Sequence, residues 1–133
     1  MQTHTDPTLM DDSAYRRLVE GISDYAIFWL SADGTVATWN AGALHATGYT
    51  ASDMVGAPFA TLFSGDDCHA GAPRSMLEAA LREGRSELDG WLVRKDGTRF
   101  WAQILIDPVR EGDTPLGFGV VMRDRTERKR IDE

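Results

Sequence analysis

Between Leu88 and Met122 apolar residues recur at every second position, a period that extended strands satisfy and helices do not. Leu88, Leu92, Phe100, Ala102, Ile104, Ile106, Leu116, Phe118, Val120 and Met122 all hold even-numbered positions, so within each strand they share one face. The odd positions mix Arg99, Gln103, Asp107 and Arg123 with Trp91, Val93, Trp101, Leu105 and Val121, which makes the second face only half polar. Asp96-Gly97 interrupts the pattern once, and the turn-rich Gly112-Asp113-Thr114-Pro115 interrupts it again. The pattern predicts three antiparallel strands, over 87–94, 98–109 and 116–123, with the even face against a core.

The upstream half carries helix punctuation. Residues 25–30 (YAIFWL) run into Asp33-Gly34 and resume over 35–39, which reads as a hairpin of two further strands. Asn40 is placed to cap a helix through Ala46, with Gly48 as its stop. Thr50 and Asp53 form a capping-box pattern that opens a second short helix ending at Gly56. No period is visible over 59–72, and SGDDCHAGA reads as a loop. Pro73 suits the first turn of a longer helix with Met76, Leu77, Ala80 and Leu81 as its buried stripe and Gly84 as its stop. Before the first strand, Tyr15, Leu18, Val19 and Ile22 have helical spacing behind a polar lead-in. The expected organisation is a lead-in over 1–12, one domain over 13–123, and the start of a C-terminal helix over 124–133.

Charge and composition narrow the function. With 133 residues and a formal charge of −7, the chain is sized for one domain and lacks the clustered cations that bind a phosphate backbone. Lysine occurs only at Lys95 and Lys129, and the terminal Arg123, Arg125, Arg128, Lys129 and Arg130 are interleaved with acids. Cys68 is the single cysteine, so no intrachain disulfide forms and a reducing, cytoplasmic setting is expected. No apolar run reaches the roughly 20 residues of a membrane span, so no membrane contact is expected of this fragment. Signatures of Ser/His/Asp, Walker-loop, HExxH or paired-cysteine chemistry are absent, and the domain is expected to be non-enzymatic and metal-free.

The order strand-strand, short helices, three long antiparallel strands resembles the PAS superfamily over about 15–129. The residues that carry the resemblance are Trp39-Asn40, Gly48-Tyr49, Val55-Gly56, Arg94-Lys95-Asp96-Gly97-Thr98, Phe100-Trp101, and Asp124-Arg125-Thr126 at the C-terminal end. The resemblance implies an α+β PAS fold: an antiparallel sheet of about five strands with short helices on one face, an N-terminal flanking helix and a C-terminal linker helix. It further implies a sensory module of a signalling protein such as a histidine kinase or cyclic-nucleotide enzyme, with the output domain in the same parent chain.

The hairpin is similar to that of the flavin-binding LOV subgroup, but the stretch 56–63 (GAPFATLF) stands where that subgroup has GxNCRFLQ, with Phe59 in place of the reactive cysteine. The polar flavin contacts of the subgroup fall on Leu92, Ala102, Phe63 and Met122. Each flavin edge group left unpaired in a dry pocket costs on the order of 1–3 kcal/mol, so no flavin is expected. The haem-ligand position of related oxygen sensors falls on Pro73; haem through His69 is a remote alternative. The expected ligand-pocket residues are Phe59, Phe63, Leu77, Leu92, Ala102, Ile104, Val120 and Met122, for a small apolar ligand. Asp124 and Thr126 are the expected signal relay. Leu18, Trp91, Trp101, Leu105 and Val121 are the expected homodimer interface. The alternative is a ligand-free interaction and dimerisation scaffold whose interior is filled by its own side chains.

Overall fold

The computed structural model describes residues 25–127. They form an α+β unit: a four-stranded antiparallel sheet with its helices packed on one face. Strand β1 (Ala26–Ser31) leads to helices α1 (Ala41–Thr47) and α2 (Ala51–Met54), then to a 3-10 turn at Phe59–Leu62. Helices α3 (Gly65–His69) and α4 (Ala72–Glu83) follow, and then strands β2 (Ser86–Val93), β3 (Arg99–Glu111) and β4 (Thr114–Asp124). The strand order is β1-β4-β3-β2, so β1 and β2 are the edges.

Register explains why the alternation survives across the whole sheet. Ile104 faces Met122, Ile106 faces Val120, Leu92 faces Phe100 and Phe28 faces Val120, so even positions meet even positions at these pairs. One continuous apolar face results. Phe28, Phe100, Ala102, Ile104, Ile106, Phe118, Val120 and Met122 on that face are all buried, and Leu62, Met54 and Phe59 pack down on them from the helical layer. Of the α4 stripe, Ala80 is fully buried while Met76, Leu77 and Leu81 pack at the margin of the core.

The caps form as their residue types dictate. The Asn40 side chain accepts the Ala43 N–H at 2.9 Å and Gly48 ends α1, while Thr50 and Asp53 exchange both capping-box bonds. Asn40 does more than cap: its Oδ1 also accepts the Ile27 N–H at 2.9 Å and its Nδ2 donates to the Tyr25 carbonyl at 3.1 Å. A buried polar side chain is thereby satisfied, and α1 is tied to the start of β1. Both Asp-Gly turns form, with Gly34 at φ +88° and Gly97 at φ +89° supplying the left-handed residue.

Three local expectations are corrected. The segment over 35–39 does not make a full strand: only Thr35 and Val36 form bridges, to Pro58 and Leu30, and the Thr38 hydroxyl takes the Trp29 N–H that a backbone carbonyl would otherwise hold. The sheet consequently has four strands among the described residues. The stretch read as a loop contains α3, nucleated by the Ser64 side chain accepting from the Asp67 N–H; five residues are too few to display a helical period. Leu116 is exposed rather than buried, because the ladder steps from Val109–Gly117 to Arg110–Pro115 and leaves it as the extra residue of a bulge. The loop before it is correspondingly tighter than expected, since β4 already begins at Thr114. Residues 1–24 and 128–133 lie outside the described residues, as do the expected N-terminal helix and most of the linker helix.

Two substitutions test this register. A Cβ on Gly117 would lie 2.3 Å from the Leu30 carbonyl oxygen, so Gly117→Ala should push β1 from β4 and cost about 1–3 kcal/mol. Ile104→Asp, which buries an unpartnered charge, should cost about 4 kcal/mol or more. Chemical-denaturation midpoints check both, and an unchanged midpoint for either would contradict the register.

Candidate functional site

The eight residues expected to surround a ligand are brought together. Phe59, Phe63, Leu92, Ala102, Ile104, Val120 and Met122 belong to one buried cluster, and Leu77 packs against its margin. Aromatic rings occupy much of that interior: Phe59 meets Phe63 edge-on at 5.0 Å, and Phe28 lies 6.1 Å from Phe59 and 4.9 Å from Trp39. The positions matched to the subgroup's reactive cysteine and its four polar flavin contacts are thus apolar and buried, and of the buried polar side chains Asn40 and Thr47 are committed to backbone groups. An open groove of about 470 Å³ runs between the Asp33-Gly34 turn and α4, with Phe59, Leu77 and Phe118 along it.

The second cluster lies where β4 leaves the sheet. Asp124 Oδ1 accepts the Thr126 N–H at 2.9 Å and also the Thr126 hydroxyl, which caps the helical turn beginning at Thr126. Thr126 Oγ1 in turn accepts the Trp101 N–H at 2.9 Å, and the Arg125 N–H donates to the Trp101 carbonyl at 2.7 Å. The start of the exit helix is therefore stitched to β3. Arg94 completes the cluster: its Nη1 donates to Asp124 Oδ2 at 3.0 Å and to the Ala46 carbonyl at 2.6 Å, while its guanidinium lies 4.8 Å from the Phe100 ring centre. Beside it, the Lys95 N–H bonds the Thr47 carbonyl and its Nζ reaches Asp53 Oδ2 at 2.9 Å. One hairpin turn thus holds the end of α1, the capping box of α2 and the exit of β4.

Asp124 and Thr126, named from the sequence as a relay, lie in this cluster, whereas Arg94 stood out only as part of the hairpin motif because its partners are remote in the chain. Its local signal, a place in the hairpin motif beside an Asp-Gly turn, says nothing of Ala46 or Asp124. Partial burial pushes the Asp124 carboxyl up, but the Thr126 hydroxyl and amide together with Arg94 outweigh it, and the group is held below the ordinary aspartate value.

On the outer face, Trp91, Trp101, Leu105 and Val121 are half-buried; Leu18 lies outside the described residues. Trp91 and Trp101 face each other across β2 and β3 with ring centres 5.1 Å apart, and Arg99 lies over Trp91 at 4.7 Å. Trp29 and Tyr25 are exposed on the same side, with the Arg123 guanidinium 5.1 Å from the Tyr25 ring centre. Cys68 and His69 are exposed on α3, and His45 is exposed on α1. Among the described residues no three His, Cys, Asp or Glu side chains converge on a metal-sized site.

Comparison with known proteins bears out the reading of the fold. The sequence pattern of the PAS domain family matches residues 24–127, and this chain belongs to that family. Two-component system protein A of Emericella nidulans is 46% identical over 121 residues, which span 91% of this chain but only 18% of that protein. Among solved structures, the PAS domain of a Colwellia psychrerythraea protein superposes with a TM-score of 0.78 at 23% identity, covering 89% of this chain and all of that one. A domain of a sensor histidine kinase/response regulator from Geobacter sulfurreducens gives 0.75 at 19% identity, covering 91% of this chain and 100% of that one. An RNA-binding light-oxygen-voltage receptor gives 0.78 at 24% identity over 99% of this chain and 38% of that one. At these identities the structural matches define the fold alone. The chain is a PAS domain, the class of module whose relatives here include a two-component system protein. No helix among the described residues is long and apolar enough to cross a membrane.

The Asp124 carboxylate sets a pH dependence. Its pKa is depressed in the folded chain, so its stabilisation is complete above the unfolded value and is lost as pH falls through the folded one. Asp124→Asn should therefore melt lower than wild type near neutral pH, with the gap closing as the pH drops below the ordinary aspartate range. Thermal melts across that range check it; a gap that stays constant would show that the carboxylate charge does not hold the junction.

Proposed function

We propose that this domain is the regulatory module of a longer two-component signalling protein, with catalysis residing in other domains of the same parent chain. The junction at Asp124 and Thr126 carries the reading: one arginine joins a helix of the core-covering layer to the first turn of the outgoing segment, so a change in that layer is delivered where the chain leaves. The domain binds neither flavin nor haem, given the apolar side chains at Phe59, Phe63, Leu92, Ala102 and Met122 and the proline at Pro73. It self-associates through the outer face at Trp91, Trp101, Leu105 and Val121, helped by the segment containing Leu18, because that much half-buried apolar surface favours a cover. Its setting is the cytoplasm.

Two modes of input remain distinct. Side chains filling the interior favour a relay that responds to its own dimer partner. The groove along Phe59, Leu77 and Phe118 favours a small apolar ligand entering beside α4. Native mass spectrometry of the purified domain separates them: a retained small molecule supports ligand sensing, and a bare mass with a concentration-dependent dimer supports the relay.

In the full-length parent, Asp124→Ala with Thr126→Ala should leave the domain folded and abolish the stimulus dependence of the output. Retained stimulus dependence would refute the relay. Leu105→Arg should shift the domain toward monomer in light scattering, because a charge at the centre of a packed interface is costly. The domain purified after expression with flavin and haem precursors should be colourless, and a stoichiometric visible absorbance band would overturn the cofactor reading.

A further inference from the structure

We propose that the free edge of β2 is a docking site for an extended, basic segment of a partner protein, which adds to the sheet as a fifth strand across Gly90. Gly90 is a glycine that the fold does not require. Of the glycines within strands, Gly117 is needed because a side chain there would strike the Leu30 carbonyl, and Gly119 lies under the Trp29 ring at 3.3 Å from its would-be Cβ. Gly90 has neither reason: its φ is not positive, it pairs in register with Ala102, and a Cβ built on it meets nothing within 4 Å. A glycine in a strand interior weakens that strand, and where no bulge or bend explains it the remaining use is close approach by another molecule.

The surroundings specify what approaches. β2 is a sheet edge, and among the described residues none of its backbone groups is bonded on the side away from β3. The opposite edge is covered by the chain itself: Ala37 N–H bonds the Trp29 carbonyl, and Ser31 N–H bonds the Thr35 carbonyl. A groove of about 540 Å³ follows the open edge, bounded by Gly90, Trp91 and Val93 on β2 and by Phe63, Asp66 and Asp67 across from it. A strand added there exchanges main-chain hydrogen bonds with β2 and sends alternate side chains into the groove, where Gly90 leaves room for one.

Charge selects a basic partner over a second copy. Asp66 and Asp67 in the groove and Glu87 and Asp89 on β2 border this edge; none is in an ion pair among the described residues, and only Glu87 feels a nearby cation, Arg85, which is itself paired to Asp107. Arg99, the groove's one cation, is stacked on Trp91. A second copy would bring the same four carboxylates against these, whereas lysines or arginines flanking an extended segment would neutralise them.

The test uses the chain with a capped peptide of about ten residues alternating valine and lysine, and its valine-glutamate counterpart. Tryptophan fluorescence should show saturable binding of the lysine peptide, weakened by added salt, with amide shifts confined to β2 and the Ser64–Asp67 turn. Gly90→Val should weaken binding by about tenfold or more without lowering the melting temperature, because valine favours strands and its Cβ meets no neighbour within 4 Å. If Gly90→Val does melt lower, Asp66→Asn with Asp67→Asn replaces it as the variant and should weaken the lysine peptide. Equal binding by the folded variant, equal binding of the glutamate peptide, or no saturable binding would each overturn the proposal. So would wild-type self-association through β2 that Gly90→Val abolishes, since the occupant would then be a second copy.

Discussion

Strand β3 sits between β4 and β2, and its even-numbered side chains must all leave water together, because a shift of one residue would send Phe100, Ala102, Ile104 and Ile106 to the opposite face. That constraint fixes the rest. β4 and β2 align even to even against it, β1 then aligns against β4, and the helical layer has one apolar surface on which to settle. Even the proline at Pro108 is accommodated by this arrangement: β2 ends its pairing at Ile106, so the missing N–H deprives no β2 carbonyl of a bond.

Apolar burial does not say how the helices are held in place along the sheet; polar side chains do that. Asn40 anchors the first turn of α1 to the start of β1, and Arg94 anchors its last turn to the end of β4. The helix is therefore pinned at both ends to the two places where the chain joins neighbouring segments. Lys95 adds α2 through Asp53. Exposed ion pairs contribute little individually, but Arg94 is more sheltered, bonds two acceptors and covers Phe100, a combination that fixes one geometry rather than several. A domain that reports a change in its helical layer needs such a fixed connection, since a loosely tethered helix could shift without moving the exit.

Much of this was legible because it is local. Two-residue alternation, the Asp-Gly turns, the Asn40 cap, the Thr50–Asp53 box and the Gly84 stop each declare themselves within a few residues, and the structure follows them. What was missed is non-local or too short to show a period. α3 has only five residues and a loop-like composition. The failed strand after Gly34 depends on the Thr38 hydroxyl and on Asn40 reaching back to Tyr25, and Leu116 leaves the core face because of a bulge set by its partner strand. Arg94 is 48 residues from Ala46 and 30 from Asp124, so the hairpin motif that contains it does not declare the partners it joins. The interior candidates were identifiable from alternation and resemblance, while the openness of the β2 edge at Gly90 emerged only from three dimensions.

The central claim is that Arg94 holds the outgoing segment to the core through Asp124. Amide hydrogen exchange in the chain carrying Arg94→Gln tests it most directly, because the Thr126 and Arg125 N–H groups are themselves bonded within the junction. The account predicts that both amides lose protection while those in the centre of β3 keep theirs. Unchanged protection at Thr126 and Arg125, with β3 equally unchanged, would mean that the exit is held without Arg94 and would contradict it.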